Sequence, residues 1–248
     1  MSGIADNVSC AVGQTPLVLL NRVSIGCVAR VVAKLESKNP GGSVKDRIAV
    51  SMIEAAEDKG QIMPGKTILI EATSGNTGVG LAMVAAAKGY KLILTMPRTP
   101  NMTERYMLCR AYGAEVHLSD PYQGAAGFVE LAKEIADKTP DSFLLSQFTN
   151  QSNPQAHREG TGPEIWAATQ GQVDALVCGA GTGGTVVGAG QYLKSMNPNL
   201  HLVCVEANES RVLQGAEVRP QAHGLLGISA GIRLLLNNLN HLSHSKLI

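Results

Sequence analysis

Short β-branched runs alternate with helix-patterned segments along most of this chain, and that alternation is the strongest constraint on how it folds. The runs are Arg30–Leu35, Thr67–Ile70, Lys91–Thr95, Glu115–Leu118, Val173–Cys178 and His201–Val205. Between them lie helical segments such as Val44–Lys59, Thr77–Lys88, Gly127–Lys138 and Gly160–Thr169. The apolar runs lack strict alternation, which is the pattern of strands covered on both faces. Strands interleaved with helices predict βαβ units and a mainly parallel sheet flanked by helices, an α/β fold. Glycine is abundant (27 of 248 residues) and aromatics are only 4%, which suits closely packed helices and backbone loops that approach a ligand. The length allows one large or two small α/β domains, with Pro140–Pro154 a candidate crossing point between two lobes.

The charge balance narrows the function. With 21 Lys+Arg against 20 Asp+Glu, the net charge is +1, without the basic field that non-specific nucleic-acid binding needs. No window approaches the about 18 consecutive apolar residues of a membrane span, and the N-terminus has neither signal-peptide nor transit-peptide character. The five cysteines (Cys10, Cys27, Cys109, Cys178, Cys204) are scattered and form no C-x-x-C pair, so no structural zinc site is expected. Scattered thiols of this kind are expected to be reduced, in the cytoplasm. Cys178 and Cys204 sit in apolar runs and read as core packing.

Three segments carry chemistry. In Asn39-Pro40-Gly41-Gly42-Ser43-Val44-Lys45-Asp46-Arg47, Ser43 and Asp46 have capping-box spacing, and Val44, Ile48, Met52 and Ala56 form an apolar stripe. Lys45 then falls in a first helical turn, where the macrodipole disfavours the ammonium and favours the amine that attacks a carbonyl. A solvated surface lysine beside Asp46 is the bland alternative. In Glu71-Ala72-Thr73-Ser74-Gly75-Asn76-Thr77-Gly78, a strand leads through a small-residue turn into a helix. The free first-turn N–H groups and the Thr73, Ser74, Asn76 and Thr77 side chains there suit a carboxylate, and an ordinary capped helix start is the alternative.

The third segment, Cys178-Gly179-Ala180-Gly181-Thr182-Gly183-Gly184-Thr185, also joins a strand to a helix. Its glycines satisfy G-x-G-x-x-G, and Glu206 ends the next strand, as in dinucleotide-binding units. The same loop could cradle a single phosphate, or be a plain glycine turn. Taken together, a helix-start lysine, a carboxylate loop and a Thr/Gly phosphate loop meet the requirements of a pyridoxal phosphate site. A dinucleotide enzyme leaves the first two unexplained.

In that combination the chain closely resembles the cysteine synthase/cystathionine β-synthase family of fold-type-II pyridoxal phosphate enzymes. The resemblance runs from about Val12 to about Gly231. It rests on Lys34-Leu35-Glu36, residues 39–47, Gly65 to Gly80, Gln147-Phe148, Thr161 to Trp166 and Gly181 to Thr185. It implies a two-lobed fold, with 1–42 and 149–248 forming the larger cofactor-phosphate lobe and 43–148 the smaller substrate-loop lobe. It implies that Lys45 bears pyridoxal 5'-phosphate as a Schiff base and acts as general base at the substrate Cα. Asn76 would bond the ring hydroxyl oxygen, and Gly181, Thr182, Gly183, Gly184 and Thr185 the phosphate. Thr73, Ser74, Thr77 and Gln147 would hold the substrate α-carboxylate. The implied reaction replaces the acetate of O-acetyl-L-serine with sulfide to give L-cysteine. Cyanide- and homocysteine-using relatives share the core. The family implies a homodimer and, for its cysteine-forming members, binding of the serine acetyltransferase C-terminal tail in the active site.

Ser229 departs from the family pattern, where a glycine stands, and beyond Ile232 the likeness ends in RLLLNNLNHLSHSKLI. Family members continue for several dozen residues, which include a serine that bonds the pyridine nitrogen. The expectation is therefore a C-terminally short chain, in which the Leu residues at 234, 235, 236, 239 and 242 form a weak helical stripe. His241 and His244 read as tail histidines rather than metal ligands. The alternative function is that of a catalytically impaired relative acting by binding a partner.

Overall fold

The computed structural model describes residues 3–207, Ile228 and the backbone of Ser245–Leu247. The expectations for residues 229–244 lie outside this set. A hairpin comes first, with β1 (Leu17–Leu19) antiparallel to β2 (Val32–Lys34). The run Arg30–Leu35 thus joins no parallel unit, because no helix separates it from the apolar run before it.

A four-stranded parallel sheet follows in the order β5-β4-β3-β6, from β3 (Ile68–Ala72), β4 (Lys91–Pro97), β5 (Glu115–Ser119) and β6 (Ser142–Leu144). The helices α1 (Lys45–Asp58) and α2 (Asn76–Lys88) share one core with Leu69, Leu92 and Leu94. On the other face, Phe128 and Ala132 of α4 (Gly124–Lys138) pack with Ile70 and Ala72. Neighbouring residues of β3 therefore serve two cores, which is why its sequence shows no alternation.

The helix α3 (Thr103–Ala111) links β4 to β5 and buries only Cys109. With so little apolar periodicity it gave no helical signal in the sequence. After β6 come α5 (Ser152–Ala156), a π-helical turn His157–Thr161 and α6 (Gly162–Ala168). A second parallel sheet, β7-β8-β9, comprises β7 (Ala175–Gly179), β8 (His201–Val205) and β9 (Ser245–Leu247). The helix α7 (Gly184–Met196) covers it through Val186 and Val187 against Leu202 and Cys204. Cys178 packs on that same core, and burial raises the Cys178 and Cys204 thiols to about 12 and about 11, which makes both inert packing residues.

Arg47, in the first turn of α1, ties distant stretches together. Its Nε and Nη2 donate to Glu36 at 2.7 and 2.9 Å, and its Nη1 and Nη2 to Glu164 at 2.8 and 2.7 Å. Nη2 also reaches the Thr15 hydroxyl at 3.1 Å, while Lys34 Nζ pairs with Glu164 at 2.6 Å. The guanidinium lies so close to the Gly13 and Gly160 backbones that an added Cβ would come within 3.3 and 3.2 Å of Nη1. Burial alone would raise the Glu164 pKa, but hydrogen bonds from Arg47, Lys34 and the Gln14 backbone outweigh it and hold the carboxyl at about 2.

Arg47→Ala leaves Glu36 and Glu164 without their buried counter-ion and is expected to lower unfolding free energy by about 3–5 kcal/mol in urea titrations. The depressed Glu164 pKa adds stability that is complete above its ordinary value of 4.5 and is lost as pH falls toward 2. Glu164→Gln should therefore flatten the stability–pH curve between those limits. An unchanged acid limb would contradict this role.

Candidate active site

The amine of Lys45 opens α1. Ser43 Oγ accepts the Lys45 N–H at 3.2 Å, and Asp46 Oδ2 accepts the Gly41 N–H at 2.6 Å. The two residues thus staple the Asn39–Gly42 turn to the helix rather than forming a reciprocal box, since Ser43 Oγ accepts from the Lys45 N–H and not from that of Asp46. Asp46 is fully buried. Burial raises its pKa, the Gly41 and Ser43 backbone donors lower it, Glu36 raises it, and the outcome is about 6. Lys45 is partly accessible as a residue, yet desolvation of its charged head lowers its pKa. The neutral amine is therefore favoured, as the sequence suggested, with burial the dominant cause.

The turn between β3 and α2 brings the second group together. Thr73 and Thr77 are buried, while Ser74 and Asn76 face outward. Thr77 donates its hydroxyl to Gln147 Oε1 at 2.7 Å, and Gln147 Nε2 donates to the Ala72 carbonyl at 2.8 Å. Gln147 is separated from Thr77 by 70 residues in sequence but shares its hydrogen bond. Thr73 Oγ1 accepts the Gly75 N–H at 3.1 Å, which leaves its own hydrogen free to donate. Beneath this group lies Glu71, fully buried and pushed up to about 8 by burial despite backbone N–H donors from Gln147 and Ala72. It fixes the backbone from which Gln147 projects.

The third group surrounds the start of α7. Gly183, with φ +88°, is the left-handed residue before the helix, a conformation that glycine adopts without strain. The first-turn N–H groups lack intrahelical partners and form an anion-receptive helix start. Thr182 is buried beside them, and Thr185 is partly exposed.

Sequence reasoning missed the residues that join these groups. His157 is buried in the π-helical turn, with Nδ1 2.9 Å from Thr161 Oγ1 and Nε2 3.2 Å from Thr185 Oγ1. Burial above all lowers its pKa, a charged Lys45 and Arg47 add to this, Glu164 opposes it, and the outcome is about 3, so the ring is neutral. The start of α1 packs on α2, where an added Cβ on Gly80 would come within 3.2 Å of the Lys45 carbonyl oxygen, and Ser51 of α1 donates to the Ser152 carbonyl of α5 at 2.8 Å. Asn153 donates from Nδ2 to the Gln147 carbonyl at 2.8 Å and to Thr182 Oγ1 at 2.9 Å. Arg105 of α3 donates to Asn76 Oδ1 at 3.1 Å and packs over Gly75. Asn153 and His157 lie in a segment without apolar periodicity, so nothing local singled them out.

An amine whose charged form is disfavoured by burial, a receptive helix start with hydroxyls, and a buried hydroxyl–amide cluster are what an aldehyde-bearing phosphate and an amino-acid carboxylate require. Among the described residues no His/Cys/Asp/Glu group could hold a metal ion, and no helix is long and apolar enough to cross a membrane.

Comparison with known proteins agrees with this chemistry. The family model described as "Pyridoxal-phosphate dependent enzyme" matches residues 8–240. Cysteine synthase 3 of Caenorhabditis elegans is 51% identical over 89% of this chain, which spans 65% of that protein's length. Cysteine synthase A of Escherichia coli is 47% identical over 93% of the chain, which spans 72% of it. The crystal structure of cysteine synthase from Entamoeba histolytica superimposes with a TM-score of 0.91 at 36% identity, covering 100% of this chain and 73% of its own. The residues around Lys45, Thr73–Thr77 and Gly181–Thr185 fit the family's cofactor, and the chain belongs to the pyridoxal-phosphate dependent enzymes, in the fold-type-II group that contains the cysteine synthases.

Proposed function

We propose that the chain is a cysteine synthase, replacing the acetate of O-acetyl-L-serine with sulfide to give L-cysteine. The observation that carries this reading is that the start of α1, which bears the desolvated Lys45 amine, packs on the helix that follows the Thr73–Thr77 turn, while Asn153 ties Gln147 of that carboxylate cluster to Thr182 at the start of α7. When bound, pyridoxal 5'-phosphate supplies an electron sink for charge that develops at the substrate Cα. Gly181, Thr182, Gly183, Gly184 and Thr185 hold its phosphate, and Asn76 donates to its ring hydroxyl oxygen. Thr73, Ser74, Thr77 and Gln147 orient the substrate α-carboxylate. Lys45, whose lowered pKa favours the neutral form, removes the Cα proton. Acetate then departs from Cβ with the C–O electron pair, hydrosulfide forms the new C–S bond at the same carbon, and Lys45 returns the proton to Cα. The neutral, buried His157 is unavailable as a proton carrier at ordinary pH.

The division into a smaller lobe (43–148) and a larger one (1–42 and 149–248) belongs to the same reading and is supported by the two separate parallel sheets. So does a homodimer, supported by Val23, Ile25 and Val28, which stand 81%, 81% and 106% exposed on the β1–β2 connection. The carboxylate cluster would also suit the C-terminal carboxylate of a serine acetyltransferase tail. A cytoplasmic location completes the reading, in keeping with five unpaired cysteines.

Purified with excess cofactor, the protein is expected to be yellow, to change its visible spectrum when O-acetylserine is added, and to release cysteine with sulfide. Lys45→Ala should lose both the colour and the turnover. A colourless wild-type protein, or a coloured one without turnover, would overturn the proposal. Gln147→Glu sets a carboxylate against the substrate's and should raise KM for O-acetylserine by about 10- to 100-fold, the scale of one charge-assisted hydrogen bond. Its cofactor absorbance should stay intact.

A further inference from the structure

Asn153 is 1% exposed, and its amide stands between two groups that bind different ligands in the function proposed above. Both Nδ2 hydrogens are in use, one on the Gln147 carbonyl at 2.8 Å and one on Thr182 Oγ1 at 2.9 Å. A carbonyl only accepts, so the sense of the amide is fixed and it cannot be flipped. Thr182 Oγ1 accepts from Asn153 and, at 3.4 Å, from the Gly184 N–H. A hydroxyl has two lone pairs and one hydrogen. With both lone pairs facing donors, the Thr182 hydrogen remains to be donated, and none of the described hydrogen bonds uses it. The hydroxyl can then act only as a donor, the sense that an anion needs.

The other end of the amide is equally specific. Asn153 Oδ1 is buried without a hydrogen-bond partner. It lies 1.8 Å from where a Cβ on Gly184 would stand, so it faces a Cα hydrogen of that glycine, a weak contact. Any side chain at 184 would displace Asn153 and release both of its bonds. The missing side chain of Gly184 therefore serves the amide as well as the approach of a phosphate.

We propose that Asn153 is a positioning residue that commits the Thr182 hydroxyl to donate toward the cofactor phosphate and, through the same amide, ties that loop to the substrate-carboxylate residue Gln147. The proposal rests on the assignment of 181–185 as the phosphate loop. Asn153→Asp is the sharpest test, because it keeps the shape while exchanging the NH₂ donor for an acceptor. The Thr182 hydrogen would then turn toward Asp, and a negative charge would stand beside the phosphate.

Dissociation constants for pyridoxal phosphate and for pyridoxal, which lacks the phosphate, should be measured by visible absorbance in the full chain. The wild type, Asn153→Asp, Asn153→Ala, Thr182→Val and the Asn153→Ala/Thr182→Val double variant are compared, with apo-protein melting as a control for folding. Asn153→Asp is expected to weaken pyridoxal phosphate about 100-fold and pyridoxal less than about 3-fold. The two single variants Asn153→Ala and Thr182→Val should each weaken the phosphate form about 10-fold, and the double variant no more than either. The proposal is overturned by equal losses for both ligands, by multiplying effects in the double variant, or by unaltered binding to Asn153→Asp. If the wild type itself shows no preference for the phosphate form, it is the assignment of the phosphate loop that fails.

Discussion

The guanidinium of Arg47 is the contact on which the rest of the site depends. It joins Glu36 and Thr15 of the N-terminal stretch to Glu164 of α6, from a position two residues after the reactive lysine. A planar fork with five donors can hold two carboxylates at once, which an ammonium cannot do. Because α1 is fixed in this way at its first turn, the Lys45 backbone cannot slide relative to the π-helical turn that carries His157. The buried ion cluster is costly in desolvation, and its worth lies in geometry: it sets where the amine stands.

The phosphate and carboxylate groups depend on fixed hydrogen-bond senses more than on charge. No lysine or arginine donates to the Gly181–Thr185 loop among the described hydrogen bonds. The loop instead offers a helix start and two hydroxyls, that of Thr182 accepting from Asn153 and that of Thr185 paired with His157. Thr77 likewise gives its hydrogen to Gln147 Oε1, and the Gln147 amide keeps one hydrogen beyond the one it gives to the Ala72 carbonyl. Preorganisation of this kind lowers the ordering cost of binding a small zwitterion.

Much of this was legible in the sequence. Strand–helix alternation led directly to the parallel sheets, and the motifs located Lys45, the Thr73–Thr77 turn and the Gly181–Thr185 turn on the correct strand-to-helix junctions. Gln147 came from resemblance alone, since nothing local marks a lone glutamine after β6 as part of a loop 70 residues earlier. Asn153 and His157 were invisible for a related reason. Their roles are set by partners in space, and the short helix and π-helical turn that hold them have no apolar period. α3 was missed because it buries a single side chain. The run Arg30–Leu35 was grouped with the parallel strands, and its antiparallel partner Leu17–Leu19 was not read at all, because a three-residue strand carries too short a pattern to stand out.

The neutrality of His157 has one more consequence. With its pKa near 3, the ring keeps one N–H and one lone pair through the whole range in which the protein would work. The Thr161 and Thr185 hydroxyls therefore see the same partner at pH 5 as at pH 9, and the cradle around the helix start is insulated from proton concentration. Acid–base sensitivity is left to the groups that exchange protons with the substrate, so the scaffold and the chemistry answer to pH separately.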